Sequence, residues 1–183
     1  ADIALGDGAV LPEPEESIYI FDEAHHLPDK ACAHWSFSAR IGLAREHLAE
    51  GARLATTLLA EPRSGDALRR HLAPVPGLCI EADALLCGLA AELQTLLPPT
   101  PRAGEGTLEF RLPHGRVPEV IAGQAAALHN ALASLAASVQ EAAEDLSRGL
   151  EQGGAVMQQR YAALGLLAAR AERLSGLWHA WAE

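Results

Sequence analysis

From residue 121 onward, apolar side chains recur at Ile121, Ala125, Leu128, Leu132, Leu135, Val139, Ala142 and Leu146, alternating four and three residues apart. This is an a/d heptad seam sustained for more than three heptads, and it admits only a helix, because a strand would alternate every second residue. The spacing predicts a helix over Pro118–Leu150, roughly 50 Å long at 1.5 Å per residue. Gly149, Gly153 and Gly154 should break it. A second stripe follows at Met157, Tyr161, Leu164, Ala168, Ala171, Leu174, Trp178 and Trp181. Two long helices with matching seams across a glycine turn predict an antiparallel helical hairpin. Alanines in both seams let the backbones approach closely, so the stripes read as core rather than as a cofactor face.

The preceding hundred residues continue the helical theme. Ile41, Ala44, Leu48, Ala52, Ala55 and Leu59 mark one helix, ended by Pro62. "GDALRRHL" (Gly65–Leu72) reads as a short helical turn before Pro74 and Pro76. Leu78, Ala82, Leu85, Leu89, Leu93 and Leu96 mark another helix, which stops at Pro98 and Pro99 because proline cannot extend the hydrogen-bond ladder. A linker with a brief extended piece, Thr107–Leu112, leads to the long helix. With only eight aromatic residues (three Trp, two Tyr, three Phe), the core must be built from Ala, Leu and Val. The expected class is mainly α.

The N-terminal part breaks this pattern. Residues 1–16 hold Gly6, Gly8, Pro12 and Pro14 and read as loop. "SIYIF" (Ser17–Phe21) is a short continuous run of β-branched and aromatic residues, as expected of a strand buried on both faces in a parallel sheet. Such a strand needs neighbours, and no second run of this kind occurs in the 183 residues. The expected division is therefore residues 1–30, the end of an α/β domain, and residues 31–183, a helical domain. The chain begins with alanine and reads as an excised piece of a larger protein.

The strand runs directly into Asp22, Glu23, Ala24, His25 and His26. Adjacent carboxylates at the C-terminal end of a buried strand lie where ligands bind in open α/β sheets. One can hold Mg²⁺, a hard cation that takes oxygen ligands, while the other polarises a water for attack on phosphorus. Other chemistries lack their spacing. No His-Glu-x-x-His occurs for a zinc protease, no nucleophile elbow for a Ser–His–Asp triad, and no Glu-x-x-His pair for a dimetal bundle. The plainer alternative is an acidic helix cap, with Asp22 or Asp29 capping and the histidines on the surface. Against it, these four letters should arise by chance in such a chain on the order of once in a thousand at average residue usage.

"IYIFDEAHHLPD" resembles the Walker B, or DEAH-box, motif of superfamily 2 helicases. It is most similar to the DinG/YoaA and XPD group of iron–sulfur DNA helicases, in which a hydrophobic strand and DEAH precede a large helical insertion, the Arch domain. "FRLPHGRVPEVI" (Phe110–Ile121) leading into a long helix is also similar to DinG-like chains. The resemblance is sharp over residues 17–30 and architectural beyond them. It implies an ATP-dependent DNA helicase whose strand belongs to a P-loop-type motor domain. Asp22 would hold the Mg²⁺ of bound ATP through water, Glu23 would activate the hydrolytic water, and His25 would couple the nucleotide site to DNA-binding motifs. His26 matches a variable family position. The chain contains no G-x-x-x-x-G-K-[ST] phosphate loop, and the four cysteines that would hold the family's iron–sulfur cluster precede the DEAH strand and are absent here. By itself the chain is therefore expected not to hydrolyse ATP.

The resemblance also implies that the helical domain frames a path for single-stranded DNA alongside the rest of the helicase motor. The candidate contacts are Arg69 and Arg70, the densest basic pair, with Arg40, Arg45, Arg63, Arg102, Arg111 and Arg116 behind them. The formal net charge of −10 predicts that the isolated chain binds DNA weakly and loses that binding in moderate salt. An alternative from another class is a protein-interaction module, with Trp178 and Trp181 as anchors if exposed; a third and least favoured reading is an independent metalloenzyme using His25 and His26. An unpaired strand at 17–21 would also favour self-association through its open edges. Cys32, Cys79 and Cys87 fit no zinc or iron–sulfur spacing and read as small apolar residues. No signal peptide and no apolar run long enough to span a membrane is recognised, so the expected location is cytoplasmic.

Overall fold

A computed structural model describes residues 18, 22–30, 36–61, 65–96, 111–148 and 150–183. The chain divides into two compact units, Ala1–Ser38 and Ala39–Glu183. The described residues are mainly helical, and no strand occurs among them. Of the run expected to form a strand, Ser17–Phe21, all but Ile18 lies outside the described residues.

The second unit holds five α-helices among its described residues: α1 (Ile41–Ala60), α2 (Asp66–Leu72), α3 (Val75–Leu96), α4 (Glu119–Ser147) and α5 (Leu150–Ala182). Each boundary has a local cause. Glu61 leaves the helical region (φ −75°, ψ 128°) because it precedes Pro62, whose ring clashes with a helical neighbour. Pro76 is tolerated in α3 because it sits at the second position, where the backbone N–H has no helical partner. Pro118 begins α4 and Glu119 places an acid at the positive end of the helix dipole. The glycine break after α4 falls where expected: Gly154 has φ 62° and ψ −167°, so the regular part of α5 begins after it.

α4 and α5 share the most extensive helix–helix packing, and α4 also packs on α3 and α2. Gly51 in α1 lies against Leu167 in α5 and Cys79 in α3. Glu50 of α1 pairs with Arg170 of α5, and Glu61, just past the end of α1, pairs with Arg160 of α5. Moving forward along α1 thus means moving backward along α5. The four long helices form an up–down–up–down bundle, and α2 lies at the end where α4 finishes.

The seam of α4 is buried at every expected position, with Ala131, Ala136 and Ala143 added beside it. The helix is 29 residues long and stops at Ser147, short of the expected Leu150. Other stripes rotate slightly. In α1 the buried residues are Ala44, Leu48, Gly51, Ala55 and Leu58, so Ala52 and Leu59 are only half-buried. In α3 the buried line is Val75, Cys79, Ala82, Leu86 and Leu89, one residue off the expected line at two places. α3 is apolar on most sides, so its own periodicity does not decide which side faces inward. In α5 Tyr161 is exposed, while Leu167 and Leu177 are buried. Trp178 is buried and packs edge-on to half-buried Trp181, which removes Trp178 as an exposed anchor.

One expectation is corrected. Asp66–Leu96 and Glu119–Ser147 are long and apolar enough by composition to cross a membrane. The first is interrupted between α2 and α3 at Ala73 and Pro74. The seam of the second is buried against neighbouring helices, as in the core of a bundle.

Two measurements follow from this packing. A Cβ at Gly51 would lie 2.7 and 2.9 Å from the two Cδ atoms of buried Leu167. Gly51→Ala should therefore lower stability by about 1 kcal/mol, overlap outweighing the gain in helix propensity. In a Leu167→Ala background the same change should become stabilising, as should Gly88→Ala, where no atom lies within 4 Å. Denaturant melts of these variants would check the change of sign. The second concerns Cys79, whose thiol is pushed by burial from its ordinary 9.0 up to about 11. The neutral form is thus favoured by folding. Its contribution is intact below about pH 9 and is lost as pH rises towards 11. Wild type should lose stability over that window more steeply than Cys79→Ala, and Cys79 should alkylate more slowly than half-buried Cys87.

Candidate functional site

Asp22, Glu23, His25 and His26 lie in one tight turn. Glu23 adopts the left-handed conformation (φ 54°, ψ 39°), which a side chain larger than glycine rarely takes. Residues Ala24–His26 then form a single 3-10 turn, closed by the His26 N–H donating to the Glu23 carbonyl at 3.0 Å. Asp22 stabilises the entry, since its Oδ1 accepts from the Glu23 backbone N–H at 3.0 Å. The chain continues as helix through residues 27–30.

The turn gathers the side chains as well. The Glu23 carboxylate lies 3.1 Å from His25 Nδ1, and the rings of His25 and His26 have centroids 4.0 Å apart. All four residues are exposed. The turn thus brings the side chains of Glu23, His25 and His26 together, while the Asp22 carboxylate is engaged at the Glu23 backbone. The donor set suits the Mg²⁺ implied by a DEAH motif, because Asp22 and Glu23 offer the carboxylate oxygens that a hard cation takes.

The candidate DNA contacts are dispersed. Arg69 is turned back onto its own fold: its Nη2 donates to the Glu61 carbonyl at 2.9 Å, covering a carbonyl at the end of α1. Arg70, next in the chain, is exposed. Arg45 Nε donates to Asp83 Oδ1 at 2.7 Å, and that bond holds its guanidinium above its usual pKa. Arg40, Arg111 and Arg116 are exposed at the surface. Arg63 and Arg102 lie outside the described residues.

The bundle also carries polar contacts that periodicity did not reveal. His71 of α2 faces two acids of α4, with Nδ1 2.7 Å from Glu141 and Nε2 3.5 Å from Asp145. Arg148 reaches the same Asp145 at 3.2 Å. The four-residue spacing of Glu141 and Asp145 is a readable signal of one helix face, but nothing local in the sequence names His71 as its partner. Ser175, buried in α5, meets His129 of α4 at 2.9 Å from hydroxyl to Nδ1. His129 Nδ1 also lies 3.0 Å from the Ser175 carbonyl. This is a cross-helix polar tie inside the seam.

Known proteins give one short likeness. The ATP-dependent DNA helicase DinG of Photobacterium profundum is 68% identical to this chain over 31 residues, which are 17% of this chain and 4% of that protein. The similarity therefore covers a small part of that relative's length. No family model matches the chain, and no solved structure matches it.

Proposed function

We propose that this chain is part of an ATP-dependent DNA helicase of the DinG and XPD-like kind. The observation that carries the reading is the turn at 22–26. It joins a DEAH sequence to a geometry that sets Glu23 3.1 Å from His25, in a chain that is 68% identical over 31 residues to a DinG helicase. In this reading residues 1–30 close the first motor domain and residues 31–183 form the Arch-like domain.

Each residue then has a role set by its chemistry. Asp22 holds Mg²⁺ through water, using the carboxylate whose other duty is to fix the turn. Glu23 accepts a proton from the water that attacks the terminal phosphate. His25, at hydrogen-bonding distance from Glu23, orients that carboxylate and links it to the DNA-binding motifs. The helical bundle frames the path of single-stranded DNA. Its stiffness suits it to that task, since α4 and α5 each span several turns and share a continuous core. Arg70, exposed, is better placed for a phosphate than Arg69, which caps α1. The phosphate loop and the iron–sulfur cysteines are supplied by the rest of the motor. This chain has neither, and it does not turn over ATP alone.

The test uses the full-length protein. Glu23→Gln should lower DNA-stimulated ATP turnover by about 100-fold or more, the scale expected for a lost general base. It should leave ATP binding intact by filter assay. The 183-residue chain alone should show no turnover. Wild-type rates in Glu23→Gln, or DNA-stimulated hydrolysis by the chain alone, would sink the proposal.

A further inference from the structure

We infer that Glu23, His25 and His26 form a binding site for a borderline divalent transition-metal ion of the zinc or nickel kind. Each residue offers one ligand atom, and all three atoms lie within 4.8 Å of one another. Backbone geometry produces the convergence. The left-handed Glu23 caps the 3-10 turn Ala24–His26, and the His26 N–H closes that turn on the Glu23 carbonyl at 3.0 Å, which holds the three residues close. His25 joins them, its ring 4.0 Å from that of His26 and tilted by 41° to it, and its Nδ1 3.1 Å from the Glu23 carboxylate.

The dimensions suit a small cation. Two donors on one tetrahedral zinc, each about 2.0–2.1 Å from the metal, sit about 3.3 Å apart. The Glu23–His25 separation of 3.1 Å is already of that size. A separation at the 4.8 Å limit has to close by about 1.5 Å, within reach of side-chain torsions at residues that are all exposed. Two imidazoles and one carboxylate leave a further position for water, the open three-ligand arrangement of zinc. Nitrogen donors also set the class of metal, since imidazole suits zinc, nickel and copper while magnesium takes oxygen. The site therefore differs in chemistry from the water-mediated magnesium contact of Asp22. Where the helicase reading holds, the ion would occupy Glu23 and so oppose its role towards water. That consequence alone rests on the helicase reading.

The site is tested on the 183-residue chain by titration with Co²⁺, followed by its visible absorption, and with Zn²⁺ by calorimetry. One equivalent should bind saturably, and a large excess of Mg²⁺ should not displace it. His25→Ala, His26→Ala and Glu23→Gln should each weaken binding about tenfold or more, that is by about 1.4 kcal/mol or more. His71→Ala, which alters the other histidine–carboxylate cluster, should leave it unchanged. All four residues are at the surface or half-exposed, and far-ultraviolet circular dichroism would verify that each variant is folded. No saturable binding, equal binding by the His25 and His26 variants, or displacement by Mg²⁺ would overturn the inference. Because the readout is metal on this chain and not ATP turnover, its failure is distinct from failure of the helicase reading.

Discussion

The bundle is organised around the buried face of α4. Ala125, Leu128, Leu132, Leu135, Val139 and Ala142 are almost wholly removed from water, and α2, α3 and α5 all pack on this helix. Burial of each large side chain contributes roughly 1.5–3 kcal/mol, so a seam of this length is the largest single source of cohesion in the second unit. Its alternation of leucine with alanine also sets the spacing. Small residues let helices approach closely, and leucines fill the space left between them. α1 follows the same logic from the opposite side, where Gly51 leaves room for Leu167.

Legibility in the sequence followed amphipathic contrast. The seam of α4 could be read residue by residue because polar residues flank it on the other faces. α3 has little such contrast. Val75, Cys79 and Leu86 turned inward while Ile80 turned to solvent, a choice made by the neighbouring helices and not by the periodicity of α3 itself. The same limit applies to Tyr161, which keeps the heptad position but lies close to the glycine break, where the packing of α5 begins. Prolines and glycines were dependable because they act through the backbone: Pro62, Pro76 and Gly154 each mark a boundary for a steric reason independent of tertiary context.

Polar chemistry divides the same way. The turn at 22–26 was legible because its parts are neighbours in the chain, and local backbone geometry alone brings them together. His71 with Glu141 and Asp145, or Ser175 with His129, are separated by tens of residues and meet only once α2, α4 and α5 are assembled. A single sequence gives their residue types and even the four-residue spacing of the two acids, but not the partner across the interface. Arg69 shows the converse. A dense basic pair suggests a ligand, yet Arg69 commits its guanidinium to the carbonyl at the end of α1, although both members are exposed.

This separation has a consequence for how the two parts of the chain respond to change. Among the described residues, Asp22, Glu23, His25 and His26 make contacts within five residues: the Asp22 carboxylate on the Glu23 N–H, a 3-10 hydrogen bond and a tilted contact of the two imidazoles. Shortening a core leucine removes cohesion from the helices of the second unit. Replacing Glu23 or His25 alters exposed chemistry with little effect on the helical core.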